Sequence, residues 1–353
     1  MPAIAENYSP GLPVEIGKID KELKKLWQES GDAKTRASLI NLAVYSELPD
    51  SLSKNTEIVS QVAENHACRA LVITASPAAK ENRVQAWLRA NCHVSRSGSK
   101  QICSEQLSFL LEGPCAALLP NIVFSHLDSD LPFSLWWQGE FYEPMDVQLW
   151  AWVDRVIYDS QIWKDFGAQM RLIESAQAEA KQRIVLCDLN WTRLVHIRLA
   201  LAQFFDHPAA HHHFAKIDHA EIDHAPECRS TALLLAGWLA AQLQWKPASG
   251  KQNGQLKFER AENDKPITFQ LNEKAGEPIS RCVIGSGERE FRVVHSIGSD
   301  LLNVTLGPPG EEHMHQRLPA SKNDAVSLIE EELMRGGPHR VYLRAINCMR
   351  DLL

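Results

Sequence analysis

The residue types best suited to chemistry gather in one stretch, HPAAHHHFAKIDHAEIDHAPEC, which holds His207, His211, His212, His213, His219, His224 and Cys228. Imidazole and thiolate are common metal ligands, and His213 and His219 flank a strand-like stretch on which ligands could converge. The spacing follows no zinc pattern, however, and three consecutive histidines on a loop cannot all face one ion. The series therefore reads as a solvated loop and strand edge, and no metal site is expected. Two other stretches set polar groups beside apolar runs. DRVIYDS places Arg155 before a Val-Ile core and Asp159 and Ser160 after it. At the C-terminal end of a parallel strand, Asp159 and Ser160 would face the crevice where α/β proteins bind ligands. The same two residues would also serve to cap the next helix, and both roles can hold together. CDLNWTR puts Asp188 or Asn190 at a helix N-cap, Trp191 just inside, and Arg193 on the first turn, as a surface charge or an anion clamp.

Signatures of common catalysts are missing from the sequence. There is no G-x-x-x-x-G-K-[ST], no G-x-S-x-G and no H-E-x-x-H. Gly285 and Gly287 in IGSGERE lack a third glycine and fall between strands, where they would form a hairpin loop, not a phosphate-cradling turn. No cofactor is expected. The remaining conspicuous stretch is DLPFSLWWQGEF, with Trp136 and Trp137 adjacent and Glu140 close behind. On a strand the two rings face opposite ways, so each meets a different layer. Either both rings are packing groups, or one of them faces a partner or ligand, since tryptophan is enriched at binding hot spots.

The elements that must position these residues follow from periodicity. SLINLAVYSE, CRALVITAS, PFSLWW, RVIYDS and RIVLCDL read as strands. SKNTEIVSQVAENHA, the segment around Pro120, and FGAQMRLIESAQAEAKQ read as helices between them. VQAWLRANCHV alternates as a strand with one buried face. Strands alternating with helices predict an α/β N-terminal domain, residues 1–180, with a Rossmann-like layered sheet carrying LWWQGE and DRVIYDS. Residues 181–353 predict an α+β C-terminal domain carrying DLNWTR and LLAGWLA. In it WTRLVHIRLALAQFF forms one amphipathic helix, short strands between 254 and 306 form an antiparallel meander, and two helices close the chain.

Composition narrows the partners. With 353 residues, 44% apolar and 23% charged, the chain is an ordinary globular protein of about two domains. A net charge of -7 without basic runs argues against nucleic acid. The longest apolar run, ALLLAGWLAA, is too short to span a membrane, and the first residues lack the pattern of a secretory signal. A cytoplasmic setting is expected. The eight scattered cysteines read as free thiols, with a regulatory disulfide left unassigned.

The ordered series DLP, LWWQGE, DRVIYDS, DLNWTR, FFDHP and LLAGWLAAQLQW, running from Asp130 to Trp245, resembles the bacterial glucose-6-phosphate dehydrogenase assembly proteins of the OpcA family. The resemblance implies a non-catalytic activator that binds glucose-6-phosphate dehydrogenase and promotes its active form in the oxidative pentose phosphate pathway. Trp136, Trp137, Glu140, Arg155, Trp191 and Arg193 are then the candidate partner contacts. Two departures stand out: Gln138-Gly139 follows the tryptophan pair where many members have Pro-Gly, and Leu194-Val195-His196 replaces a tryptophan-bearing segment. The alternative is a sugar-phosphate or nucleotide-binding enzyme or sensor using a crevice near Asp159, Ser160 and Arg193.

Overall fold

The computed structural model describes residues 9–28, 34–94, 101–180, 183–206, 213, 216–248, 256–261, 265–308, 314–337 and 339–350. The chain divides into two compact units: residues 1–187 with 324–337, and residues 188–323 with 338–353.

The first unit is built on a nine-stranded sheet. Its middle strands, Ile40–Ser46 and Cys68–Ser76, are apolar and buried along nearly their whole length, as expected of parallel strands covered on both faces. Six strands taken in chain order are Ile40–Ser46, Cys68–Ser76, Gln101–Glu112, Phe133–Gln138, Arg155–Tyr158 and Val185–Asp188. Numbered one to six, they lie across the sheet as 3-2-1-4-5-6. The first pairs in parallel with both the second and the fourth, so strand order reverses beside it. This is the arrangement of the doubly wound dinucleotide-binding sheet. Strand Arg83–Val94 extends the edge antiparallel to Gln101–Glu112. The late helix Ala325–Met334 also belongs here; Asn65 at the end of helix Ser51–Asn65 donates to Glu330 Oε1 at 2.7 Å.

Gln101–Glu112 has no counterpart among the strands expected from periodicity. Its middle is Ser104, Glu105, Gln106 and Ser108, all buried. Each is satisfied by a neighbour: Glu105 accepts from Trp27 Nε1 at 2.5 Å and pairs with Arg36 and Arg69, while Gln106 donates to Thr56 and Ser108. A buried polar network of this kind imitates a loop to any reading based on hydrophobic period. The same pairing corrects the expectation of eight free thiols. Cys92 and Cys103 face each other across the two strands, 4.0 Å apart at Cα, and form a disulfide. Eight scattered cysteines do not reveal this pair, because strand register alone brings the two together.

The second unit carries an eight-stranded sheet. Strands Ile279–Ser286, Arg289–His295, Leu301–Gly307 and Met314–Pro319 form the antiparallel meander, with the Gly287-Glu288 hairpin at its first turn. The last of these was not expected. His219–His224 lies beside Ile279–Ser286 and pairs in parallel with Pro266–Glu273. The segment read as one amphipathic helix is two, Leu189–Arg193 and Val195–Asp206, with Leu194 between them. Helix Arg229–Leu243 is buried at every position from Thr231 to Ala240 and packs on the final helix, Arg340–Arg350. Gly237 makes that approach: a Cβ there would stand 2.5 Å from the Ala345 carbonyl oxygen. Among the described residues no helix is long and apolar enough to cross a membrane.

Candidate functional site

In a sheet of order 3-2-1-4-5-6 the ligand crevice opens at the carboxyl ends of strands one and four, where the connections diverge. A cavity of about 500 Å³ lies there in the first unit. Tyr45 and Glu47 reach it from the end of strand one, Pro77 from beyond strand two, Ala116 and Leu119 from beyond strand three, and Trp137 and Tyr142 from strand four and its loop. Its volume falls within the range of small-molecule sites.

Alternation along Phe133–Gln138 decides which tryptophan meets this crevice. Trp136 packs into the sheet opposite Val44 and Ile157. Trp137, on the other face, has its ring centre 4.4 Å from that of Tyr45, 5.6 Å from that of Phe141 and 5.7 Å from that of Tyr142. Its indole N–H donates to the Glu140 carbonyl at 3.2 Å. Both rings are more than nine-tenths buried, so neither is an open surface ring.

Polar groups at the crevice form a triangle. Tyr45 and Tyr142 hydroxyls both donate to Glu47 Oε1, at 2.6 and 2.7 Å, and lie 3.0 Å from each other. Burial, followed by the hydrogen bond to Glu47, pushes the Tyr45 phenol well above its ordinary range. Burial likewise pushes Tyr142 up to about 12, with Glu47 adding to the effect. At neutral pH both phenols are therefore donors fixed on one carboxylate oxygen. Glu47 Oε2 has no hydrogen-bond partner among the described residues, and Glu47 is exposed. A second carboxylate, Asp146, lines the crevice while its Oδ1 caps helix Val147–Trp150 through the Leu149 N–H at 2.9 Å. None of the described lining residues is Lys, Arg or His. The turn after strand one reads Glu47-Leu48-Pro49-Asp50, so it offers a carboxylate where dinucleotide-binding sheets place a glycine-rich phosphate loop.

The sequence-predicted residues lie elsewhere or in other roles. Arg155 donates to the Glu332 and Arg335 carbonyls at 3.1 and 2.5 Å, so its guanidinium closes the end of helix Ala325–Met334. Asp159 caps the short helical turn Ser160–Ile162 through the Gln161 N–H at 3.1 Å, and Ser160 is buried. Glu140 is half-buried and its Oε1 accepts from the Lys164 N–H at 2.7 Å. In the second unit Asp188 is the N-cap, accepting from the Asn190 N–H at 3.0 Å. Trp191 is buried, 5.4 Å from Tyr342, with the Arg198 guanidinium 3.5 Å over its ring. Arg193 is half-buried beside a void of about 10 Å³ shared with His295 and Ser321, too small for a metabolite. Asp159 and Ser160 belong to the first unit and Arg193 to the second.

Of the histidine series, His207, His211 and His212 lie outside the described residues. His213 is half-buried. His219 Nδ1 lies 2.8 Å from Asp218 and its Nε2 lies 3.6 Å from Glu290; His224 is buried with Nδ1 on the Ala225 carbonyl at 2.8 Å. Sequence reasoning missed Tyr45, Glu47, Tyr142 and Asp146. For Tyr45 and Glu47 the sequence signal is the polar step YSE at the end of the first apolar strand.

Comparison with known proteins adds kinship. Residues 59–175 match the family profile described as the glucose-6-phosphate dehydrogenase subunit N-terminal domain, and residues 184–346 match the corresponding C-terminal domain. A protein of Synechocystis sp. named "Putative OxPP cycle protein OpcA" is 30% identical over 234 residues, covering 63% of this chain and 47% of that one. A Nostoc punctiforme protein of the same name is 29% identical over 240 residues, covering 65% and 49%. The chain thus spans about half the length of the curated relatives it matches. Among solved structures, aldose-aldose oxidoreductase from Caulobacter crescentus aligns at TM-score 0.49 and 8% identity, over 89% of this chain and 95% of that one. UDP-N-acetylglucosamine 3-dehydrogenase from Acidithiobacillus ferrooxidans aligns at TM-score 0.43 and 12% identity, over 90% and 97%.

Proposed function

The chain belongs to the OpcA family of glucose-6-phosphate dehydrogenase assembly proteins, and from that premise we propose that it binds glucose-6-phosphate dehydrogenase and promotes its active form without being a catalyst itself. The observation that carries this reading is the pair of matches to the two dehydrogenase-subunit domains, which together span most of the chain. The geometry of the crevice supports it. A carboxylate at the first βα turn repels the pyrophosphate that a dinucleotide-dependent oxidoreductase of this sheet order would bind there.

An activator of this kind works by differential affinity: it must bind the active conformation of the dehydrogenase more tightly, since equal binding shifts nothing. A coupling of about 3 kcal/mol corresponds to roughly 150-fold in affinity. Glu140 and Arg193, which keep part of their side chains exposed, remain candidate contacts on their respective units. The test mixes the purified chain with the dehydrogenase of the same organism. Co-elution on a sizing column with raised dehydrogenase activity is expected; unchanged kinetics with no co-elution overturns the reading.

A further inference from the structure

A crevice at the switch point of a doubly wound sheet is where a ligand is expected, yet this one is furnished for the opposite of a phosphate. The turn has no glycine, and the described lining offers no cation. Anion recognition needs N–H donors or positive charge. The two phenols do not supply them, because both hydroxyls already donate to Glu47 Oε1. What the crevice presents instead is acceptor capacity: Glu47, a lining residue whose Oε2 has no hydrogen-bond partner among the described residues, and the Asp146 carboxylate. Beside them stand the rings of Tyr45, Trp137 and Tyr142.

We propose that this crevice is a binding site for a small organic cation, an ammonium or guanidinium group on an apolar stem, held by Glu47 Oε2 beside the aromatic wall. An ionised carboxylate next to aromatic rings attracts such a group through a charge-assisted hydrogen bond and the ring quadrupole together. The apolar floor from Leu119, Leu149 and Trp150 receives the stem. A neutral polyol would satisfy Glu47 by hydrogen bonding but would leave two carboxylates uncompensated by the lining. The phenol pair has a further part: it fixes the carboxylate before the ligand arrives, which lowers the ordering cost of binding.

The test uses the whole chain alone, so its result does not depend on any dehydrogenase. Intrinsic tryptophan fluorescence, which includes Trp137 and Trp150 in the crevice, and calorimetry are followed while spermidine and agmatine are added. Glucose, inorganic phosphate and NADP serve as neutral and anionic probes. Saturable binding of the amines is expected, weakened by about tenfold or more in Glu47→Gln, a variant that still folds cooperatively because its amide oxygen can accept from both phenols. Tyr142→Phe keeps the carboxylate and should weaken binding less than Glu47→Gln. The proposal is overturned if no amine binds saturably, if glucose, phosphate or NADP binds in preference, or if Glu47→Gln binds the amines as the parent chain does.

Discussion

Two places in this molecule use the same three ingredients, a carboxylate, a tyrosine hydroxyl and a tryptophan, for different ends. At the crevice of the first unit, Tyr45 and Tyr142 donate to Glu47 beside Trp137. At the DLNWTR corner of the second, Tyr342 donates to Asp188 Oδ2 at 2.8 Å beside Trp191. The difference lies in how completely each carboxylate is used. Asp188 is 1% exposed, and its other oxygen takes the Asn190 N–H. Glu47 is exposed, with one oxygen loaded twice and the other open. A carboxylate with both oxygens matched inside the fold locks structure together, whereas a half-used one at a cavity mouth has capacity left for something that arrives from outside.

The contrast can be broken at its strong end first. Asp188→Ala removes a helix N-cap and the carboxylate to which the buried Tyr342 hydroxyl donates, which together should cost about 2–4 kcal/mol in urea unfolding. Glu47→Ala removes the acceptor of two phenols at a solvent-exposed position and should cost about 1–2 kcal/mol, less than the buried cap. Equal losses would erase the distinction.

Alkaline titration sharpens the crevice side. Burial raises both of its phenols, so the folded state keeps protons that an unfolded chain releases near pH ~10. The stability this contributes is full below pH ~10 and is lost as pH rises through about 12, the value for Tyr142. Absorbance of tyrosinate should show late-ionising phenols, one fewer in Tyr142→Phe. The smallest expected effect is on the stability of that same variant: loss of one hydrogen bond to an exposed carboxylate should cost about 0.5–1 kcal/mol in a thermal melt.

The two regions also differ in how far they can be read from sequence. The corner is nearly local: Asp188, Asn190 and Trp191 are contiguous, and a cap before a helix is written in adjacent letters. Only Tyr342 comes from afar. The crevice is assembled from residues near positions 45, 77, 116, 137 and 146, brought together by strand order alone. Periodicity finds Ile40–Ser46 and Phe133–Gln138 as strands but carries no information on which lies beside which. The polar strand Gln101–Glu112 shows a second limit, since its buried Ser, Glu and Gln are paid in hydrogen bonds that exist only after folding. The return of residues 324–337 to the first unit is a third, because linear division of a chain has no means to express it.

The close approach at Gly237 bears on how the protein is made. Helix Arg229–Leu243 is buried on every side from Thr231 to Ala240, and the side that carries Gly237 packs on Arg340–Arg350. During synthesis that side leaves the ribosome long before its cover does. The second unit therefore has to hold a greasy helix in waiting while the whole meander is translated, a period in which chaperone capture or aggregation competes with native closure. Slowing translation after the meander, or deleting the last helix, should shift the newly made chain from the soluble to the insoluble fraction.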